Sequence, residues 1–521
     1  IGIAYVRMAP DFSGVAGVTT AAIALGWSFF TISFIVQFAL LFFVCGALVL
    51  LVIALTAQRE VTFILSILLA AVLVGALLAD AMAFALYQMH YASVAWEILK
   101  AGAMKEVILL SLPERIFLMI MLTILLVAES FIAFLVWRMI IRKKSHGVGY
   151  VIVGTLSGLF VASYGAMFVA TAMASKQWFN PSENYTILKA ARIIPYYNEI
   201  YNFIMPGDPN VRKIETHNGE VYFQVRQKNS KLNYPLYPLQ CVSPVQPMNV
   251  LVIVIDTWRH DAMNPSVSPN IYRFSRETQQ FQDHWSGGNC TESGVFSLFY
   301  SLPGNYWRAF LNQRKPPVLI DQFVKDDYQM GIFTSAPLNF PSFHKTIFNE
   351  IQHLIIRTKG NSSIERDQVI TKEFERFVEK RNKNRPFFSF LFYDAAHNYC
   401  ESASPHQTPF QPAVKACDRF SLTAESDRVP YVNRYRNAVY FIDTEVGKVI
   451  ATLREKNLLE NTMIIITGDH GEEFNDEGMN YWNHASAYTP YQLQVPLLIY
   501  WPQKQPQTYS YMTTHYDVAP T

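Results

Sequence analysis

Three segments of the sequence carry acids, a hydroxyl and a histidine in an order suited to metal chemistry. Asp256 ends one apolar run, Asp469 and His470 follow another in a Gly-Asp-His-Gly motif, and Thr291 lies in a Gly-rich loop ahead of a helix-like segment. Carboxylate and hydroxyl oxygens with one imidazole suit Zn²⁺ or Mn²⁺, with Mg²⁺ as a further candidate. A bound metal would lower the pKa of the hydroxyl and neutralise charge on a phosphoryl or sulfuryl oxygen. The pattern therefore predicts a divalent metal site with a bound nucleophile.

Each of these residues also has an ordinary structural explanation. An Asp at the end of a strand is often a helix cap, and a Thr in a Gly-rich loop is usually a turn residue. The Gly-Asp-His-Gly run is more specific, and the order of all three segments favours the metal site. His397 follows another apolar run, where it could protonate a leaving group, bind substrate or be a hydrogen-bonded surface histidine. Arg259 could meet an anionic substrate or form an ion pair within the domain.

The elements that must position these residues are strands separated by helices. Apolar, β-rich runs predict strands at 249–255, 330–334, 386–393, 462–467 and 495–500, and longer periodic stretches predict helices such as 364–380 and 434–456. Near-continuous apolar strands alternating with helices indicate an α/β domain with a mainly parallel sheet covered on both faces. In such sheets ligands bind at the carboxyl ends of the strands, where Asp256 and Asp469 lie.

The first third of the chain has a different composition. Residues 1–174 carry 16 charged side chains, whereas the remaining 347 residues carry 68. Apolar blocks at 28–56, 62–88, 116–137 and 148–174 approach or exceed the length of about 20 residues that crosses a bilayer. The stretch from Gly17 to Leu55 is too long for one perpendicular span, so either its first part is an interfacial helix or two spans are closely joined. Its polar residues, such as Ser28 and Gln37, favour one long, tilted helix. This composition excludes a wholly soluble protein, and the net charge of +2 gives no reason to expect nucleic acid.

Basic residues orient the predicted spans. Arg138, Arg142, Lys143 and Lys144 cluster between the third and fourth blocks, which predicts a cytoplasmic loop there. The chain after Ala174 should then be extracytoplasmic. We expect a transmembrane domain over 1–174, an interfacial linker over 175–245 and a soluble domain over 246–521, with the first span mostly missing and the last domain incomplete.

The linker and the cysteines give two narrower predictions. Lys189 and Arg192 lie among aromatic residues just outside the last span, where they could hold a lipid phosphate or simply anchor the chain at the interface. Cys400 and Cys417 bracket a short loop and are the best disulfide candidates in an oxidising compartment. Cys241 and Cys290 could form a second pair, which the sequence leaves open.

The motifs also carry a family resemblance. Asp256-Thr-Trp-Arg259, Gly-Asp469-His470-Gly-Glu-Glu and the closing His515-Tyr-Asp517-Val-Ala-Pro520-Thr521 resemble the sulfatase branch of the alkaline-phosphatase superfamily. Cys290 lacks the Cys-x-Pro-x-Arg context of true sulfatases. The run Asn289-Cys-Thr291-Glu-Ser instead resembles lipoteichoic acid synthases and lipid A phosphoethanolamine transferases. That resemblance implies Asp256, Thr291, Asp469 and His470 as metal ligands, Thr291 as nucleophile and His484 as a second active-site histidine beside His397.

Further motifs lie along the whole chain: Leu77-Leu-Ala-Asp80 in a predicted span, Trp96 in the loop that follows, Tyr234-Pro-Leu before the soluble domain, and Phe296-Ser-Leu-Phe-Tyr300. With these motifs the whole chain resembles the YejM (PbgA) family of inner-membrane proteins of Gram-negative bacteria. The resemblance implies a multi-pass protein with a periplasmic C-terminal domain, lipid A (lipopolysaccharide) binding through the linker just outside the last span, and a membrane-protein partner that controls lipopolysaccharide synthesis. Of the family's basic pair in that linker, this sequence keeps Arg192 and has Ile193 at the other position. Two hypotheses stay open. One is a lipid A sensor and regulator built on a metal-binding sulfatase-like domain; the other is a metal-dependent phospho- or sulfo-transferase or hydrolase acting on lipid headgroups.

Overall fold

The computed structural model describes residues 19–56, 59–87, 112–142, 162–163, 165–174, 179–197, 200, 213–217, 220–224, 232–237, 239, 247–401, 408–419 and 422–521. The chain divides into two compact units. The first comprises Ile1–Trp96 and Ile116–Lys231, and the second comprises Glu97–Arg115 and Leu232–Thr521.

The first unit is mainly helical. Its elements are α1 (Thr20–Thr56), α2 (Arg59–Tyr87), α3 (Leu112–Arg142), α4 (Gly165–Ala174), α5 (Pro181–Ile193) and a hairpin of β1 (Lys213–His217) with β2 (Glu220–Gln224). Among the described residues, Thr20–Leu41 and Phe63–Ala81 form helices long and apolar enough to cross a membrane. Large apolar side chains on α3 are also exposed, including Val127 and Phe131. Exposed apolar surface of this extent is typical of helices that contact lipid.

The first predicted block is one helix. α1 runs without a break over 37 residues. The prediction of a single long helix is therefore confirmed, in preference to two joined spans. The second and third blocks also form helices, α2 and α3. Residues 148–161 of the fourth block and the basic residues Lys143 and Lys144 lie outside the described residues.

The short helix α5 carries the predicted lipid-binding residues. It starts with a capping box, in which the Asn180 side chain accepts from the Glu183 backbone N–H and Glu183 accepts from Asn180. Its apolar face, with Ile187, is buried against α1. Lys189 is half-buried on α5. Arg192 lies one turn further along the same helix, and its side chain is outside the described part of the chain.

The second unit is built on a seven-stranded sheet. Its strands are β3 (Asn249–Ile255), β4 (Gln279–Trp285), β5 (Gln329–Thr334), β6 (Phe387–Tyr393), β7 (Thr462–Gly468), β10 (Leu497–Tyr500) and β11 (Gln507–Thr514), in the order β11-β4-β10-β7-β3-β6-β5. Two short strands outside this sheet, β8 (Glu473–Phe474) and β9 (Trp482–Asn483), pair with each other antiparallel. Four of the six pairings are parallel, and β10 is antiparallel to both of its neighbours. The helices are α6 (Pro269–Ser275), α7 (Thr291–Tyr300), α8 (Trp307–Gln313), α9 (Val318–Lys325), α10 (Ser363–Lys380), α11 (Val429–Glu455) and α12 (Pro490–Leu493).

Helices cover both faces of this sheet, as the sequence predicts. Successive residues of β3 point to opposite faces. Leu251 and Ile253 pack in one apolar cluster with residues of α10 and α11, whereas Val252 and Val254 pack in another with residues of α7, α8 and α9. The mainly parallel α/β architecture is therefore confirmed. The sequence analysis missed β4 and β11 because both contain many polar residues.

The disulfide prediction is confirmed. Cys400 and Cys417 are bonded, and Cys290 is a free thiol. The possible second pair of Cys241 with Cys290 is not formed, because Cys290 is free; Cys241 itself lies outside the described residues. The bridge closes the loop that follows β6.

A buried histidine on β4 makes the stability of this domain sensitive to acid. His284 Nδ1 lies 2.9 Å from Thr513 Oγ1, and within the described chain His284 Nε2 has no hydrogen-bond partner. Burial, followed by the proximity of His515, lowers the pKa of His284 well below its usual 6.5. Below pH 6.5 His284 is therefore protonated in the unfolded chain, whereas it stays neutral in the folded chain.

When the pH falls from 7.5 to 5.5, protonation of His284 in the unfolded chain should lower the free energy of unfolding by about 1.4 kcal/mol. The reason is that each pH unit below 6.5 favours the protonated, unfolded chain by about 1.4 kcal/mol. This stability is complete above pH 6.5 and is lost as the pH falls toward the folded-state pKa. Melting of the full chain at both pH values, for wild type and His284→Gln, measures the effect. An identical pH dependence in the two proteins would contradict it.

Candidate metal centre

Two neighbouring parallel strands bring the predicted ligands together. β3 and β7 pair in parallel, with Ile255 opposite Gly468, so the residues that follow them, Asp256 and Asp469, emerge side by side. His470 directly follows Asp469 after β7. Thr291 begins α7, whose first turn approaches the same edge. The positions follow from sheet register, because carboxyl ends of parallel strands meet at one edge.

The four side chains converge within hydrogen-bond or metal-ligand range. His470 Nε2 lies 3.6 Å from Asp256 Oδ1 and 3.5 Å from Asp469 Oδ2. Thr291 Oγ1 lies 3.3 Å from His470 Nε2 and 3.5 Å from Asp256 Oδ2. The two aspartates and His470 are buried, and one ligand atom from each lies within 4.8 Å of the others.

The donor set fits a cation. In the described chain, Asp256 Oδ1 and Asp469 Oδ2 are buried without a hydrogen-bond partner. Burial raises the pKa of both carboxyls, and repulsion from Asp469 raises that of Asp256 further. Burial lowers the pKa of His470 to about 4, which keeps its imidazole neutral. Two unsatisfied carboxylate oxygens and a neutral imidazole facing one another are the arrangement that a divalent metal stabilises.

Backbone contacts hold the ligands in orientation. Asp469 Oδ1 accepts hydrogen bonds from the backbone N–H groups of Thr257 and His470, which leaves Oδ2 directed at the centre. His470 Nδ1 donates to the Gly471 carbonyl at 2.9 Å, so the lone pair is on Nε2. An outer bond of this kind fixes the tautomer that a metal requires.

A glycine allows the helix that carries Thr291 to reach this edge. A Cβ atom at Gly294 would lie 2.1 Å from the Asp469 carbonyl oxygen and 2.8 Å from its carbonyl carbon. These are backbone atoms, so neither can rotate away.

We expect Gly294→Ala to destabilise the domain by about 1–3 kcal/mol, because α7 must move away from the end of β7. It should also weaken metal binding, since Thr291 moves with the helix. Thermal melting of the full chain with and without Zn²⁺ measures both effects. Ser293→Ala, in the same turn, is the control and should change neither; a Gly294→Ala protein that matches it would refute the close contact.

Two more predicted residues, His397 and His484, lie beside the centre. The His484 ring is 4.6 Å from the His470 ring and 5.0 Å from the His397 ring, measured between centroids. His484 Nδ1 lies 2.8 Å from Glu472 Oε2, and burial lowers the pKa of His484 well below 6.5. Such a bond leaves His484 Nε2 available to a substrate.

His397 has the opposite electrostatic environment. Burial lowers its pKa, but the carboxylates of Asp256 and Asp394 outweigh burial and raise it to about 10. Its Nδ1 lies 3.4 Å from Asp394 Oδ1. Asp256, Asp394 and His397 also form a second group whose ligand atoms lie within 4.8 Å of one another.

Arg259 does not face this centre as a free cation. Its guanidinium donates to Asp261 and Asp476 and to the Glu472 carbonyl, so it forms the ion pair that the sequence analysis gave as the alternative. The sequence analysis did not single out Asp394 or Glu472. Asp394 precedes His397 by three residues, and Glu472 follows the Gly-Asp-His-Gly motif. Their closeness in the sequence to candidate site residues is the signal that could have identified them.

Comparisons with known proteins agree with this fold. The sulfatase family model matches residues 248–521, and a model described as a domain of unknown function (DUF3413) matches residues 1–241. The chain therefore belongs to the sulfatase family. It is also homologous to the inner membrane protein YejM of Salmonella typhimurium, with 23% identity over 501 residues, which cover 94% of this chain and 76% of that protein. The chain is accordingly an inner-membrane protein of this group.

Two further relatives define the extent of the similarity. An uncharacterized Haemophilus influenzae protein is 26% identical over 288 residues, which are 55% of this chain and 42% of that protein. The lipooligosaccharide phosphoethanolamine transferase EptA of Neisseria meningitidis matches in structure with a TM-score of 0.56 and 13% identity, covering 99% of this chain and 94% of that one. At that identity the match shows a shared fold alone.

Proposed function

We propose that this chain binds a divalent metal through Asp256, Thr291, Asp469 and His470 and performs phosphoryl- or sulfuryl-ester chemistry on membrane-lipid headgroups. The observation that carries this proposal is a pair of buried carboxylate oxygens, Asp256 Oδ1 and Asp469 Oδ2, that have no hydrogen-bond partner among the described residues and lie beside His470 Nε2. Zn²⁺ and Mn²⁺ fit the donor set best, with Mg²⁺ as a further candidate. When bound, the metal would stabilise negative charge on a phosphoryl or sulfuryl oxygen and on the Thr291 oxygen.

The residues of the chain divide the remaining work. The Thr291 hydroxyl loses its proton to solvent, and Oγ1 attacks phosphorus or sulfur while the bond to the leaving oxygen breaks. His397 supplies the proton that the leaving oxygen takes up. The first backbone N–H groups of α7 lie at Thr291 and favour an anionic group there. His484, oriented by Glu472, can accept the proton of the water or hydroxyl that then releases the group from Thr291.

The experiment uses the full-length chain in detergent with chromogenic esters. p-Nitrophenyl phosphate, bis-p-nitrophenyl phosphate and p-nitrophenyl sulfate are incubated with protein before and after chelation, and after Zn²⁺ or Mn²⁺ is restored. Release of nitrophenol that chelation stops and metal restores supports the proposal. No release from any ester by metal-loaded protein would reject turnover and leave the metal site to be tested by binding alone.

A second candidate function is lipid A sensing through α5. It is supported by the homology to YejM and by the position of Lys189 and Arg192 three residues apart on one short helix. The basic side chains would contact the phosphates of lipid A, and the bound state would restrain lipopolysaccharide synthesis through a membrane-protein partner. The metal centre would then be a structural part of the sensor.

We expect Lys189→Ala with Arg192→Ala to weaken the capture of lipid A, because about 1 kcal/mol of attraction to an anionic lipid surface is lost per basic residue. Retention of lipid A by the purified chain, measured by mass spectrometry against a phosphatidylethanolamine control, tests this. Glu183→Ala, which alters the cap but no cation, is the matched variant. Equal retention by wild type and the double variant would leave α5 without a lipid-binding role.

A further inference from the structure

A third buried histidine, His515, lies between the two elements that carry the candidate metal centre. His515 Nδ1 is 3.1 Å from the Gly294 carbonyl oxygen, in the first turn of α7. His515 Nε2 is 3.1 Å from the Gly468 carbonyl oxygen, at the end of β7. Gly294 follows Thr291 by three residues, and Gly468 directly precedes Asp469. The ring is fully buried and belongs to the short turn His515–Asp517.

We propose that His515 is a positioning residue that ties the helix carrying Thr291 to the strand end carrying Asp469 and His470. The inference rests on the proposed metal centre, because it assigns His515 the role of setting the distance across it. Among the described residues, the polar contacts of His515 are with Gly294, Gly468 and Ser297 rather than with a proposed ligand side chain.

The hydrogen-bond chemistry defines how the link works. Burial lowers the pKa of His515 to about 4, so the ring is neutral and has one N–H. Ser297 Oγ on α7 lies 3.3 Å from His515 Nδ1. With the proton on Nε2, the ring donates to the Gly468 carbonyl. The Ser297 hydroxyl, which also donates to the Gly294 carbonyl at 2.8 Å, then shares its proton between that carbonyl and His515 Nδ1. A continuous chain then runs from α7 through the imidazole to β7.

The neighbouring contacts make this link consequential. α7 rests directly against the Asp469 backbone at Gly294, with no side chain between them. The next residue in the turn, Tyr516, donates a long hydrogen bond to the Gly287 carbonyl in the loop before Thr291. Removing the imidazole would leave a buried void at this junction, and α7 is the element that can shift to fill it. Thr291, as the first residue of that helix, would move with it.

His284 provides a matched comparison. It is equally buried, its ring lies 5.2 Å from that of His515, and its hydrogen bond goes to Thr513 on β11. Its replacement removes a buried imidazole from the same region without cutting the link between α7 and β7.

The test compares His515→Ala, His515→Gln and His284→Ala in the full-length chain in detergent. Zn²⁺ affinity is measured by competition with a chromophoric chelator. The alkylation rate of Cys290, the residue before Thr291, is measured with N-ethylmaleimide and peptide mass spectrometry, and melting is followed in parallel. We expect His515→Ala to weaken Zn²⁺ binding about tenfold or more and to speed Cys290 alkylation, as loss of an outer-shell support does at metal sites.

His284→Ala should lower the melting temperature without either change. His515→Gln, whose amide nitrogen can still reach the Gly468 oxygen, should restore most of the Zn²⁺ affinity. Equal Zn²⁺ affinity and equal Cys290 rates in His515→Ala and His284→Ala would overturn the inference.

The failure of the proposed function is distinguishable from the failure of this inference. A wild-type chain that binds no Zn²⁺ rejects the metal centre, whereas Cys290 alkylation still reports whether His515 holds α7. If His515→Ala does not fold, Ser297→Ala takes its place, because it removes the hydroxyl half of the link. Faster Cys290 alkylation in Ser297→Ala then supports the inference, and an unchanged rate overturns it.

Discussion

Replacing Asp469 with asparagine and His470 with alanine is expected to abolish metal binding by the purified chain. Wild type should carry close to one equivalent of Zn or Mn after incubation with the metal, and the double variant should carry none. The reason is that these residues supply two of the three buried ligand groups, and Asp256 with Thr291 cannot complete a four-coordinate site alone. Elemental analysis of the full-length protein measures the outcome.

A thermal experiment gives an independent measure. A ligand that binds only the folded state adds about 4 kcal/mol when its concentration is a thousand times its dissociation constant. Metal should therefore raise the melting temperature of wild type and leave that of the double variant unchanged. The variant should still fold, since burial of the apolar strands supplies most of the stability.

Asp443→Asn is the matched control for the loss of a buried carboxylate. Asp443 is also buried, but it accepts hydrogen bonds from the backbone of Asn270 and Ile271. This variant should be less stable and still bind metal. If the wild-type chain binds no metal in excess Zn²⁺ or Mn²⁺, the proposed metal site is rejected. Lipid A sensing would then be the remaining proposal, on a sulfatase-like domain without a working metal centre.

Thr291→Ala is expected to eliminate the turnover of the chromogenic esters while the metal remains bound. Loss of a nucleophile in hydrolytic enzymes lowers kcat by about 10⁴-fold or more. The metal should be retained with somewhat lower affinity, because water can replace a hydroxyl ligand whereas it cannot act as the covalent nucleophile of the chain.

Thr291→Ser separates the hydroxyl from the rest of the side chain. Serine keeps the attacking oxygen and should retain measurable turnover. In wild type and in this variant, mass spectrometry should detect a phosphorylated or sulfated residue 291 after brief incubation with ester, and none in Thr291→Ala. Turnover of Thr291→Ala at the wild-type rate would show that another group attacks.

Much of the domain that carries the site could be predicted from the sequence. The strands β3, β6 and β7 are uninterrupted apolar runs, and such runs must be buried on both faces whatever surrounds them. Once these strands are parallel neighbours, Asp256 and Asp469 necessarily emerge at one edge. The disulfide between Cys400 and Cys417 could likewise be predicted from the sequence, because it joins residues close in the chain.

The strands β4 and β11 were not predictable in this way. Their sequences alternate weakly between polar and apolar residues, and β11 lies at the edge of the sheet with most of its side chains exposed. Their conformation is therefore decided by pairing with strands distant in the chain, and local propensity gives little signal for that pairing.

The sequence by itself thus determined which residues could form a metal centre, because residue type and position at a strand end depend on local pattern. Only the tertiary structure decided what supports that centre. Contacts between segments far apart in the chain place Arg259 against Asp476 and His515 between Gly468 and the first turn of α7. His484 is placed against Glu472 by the fold of the loop that joins them. Such contacts depend on how loops and helices pack around the sheet, and no short-range pattern encodes that packing.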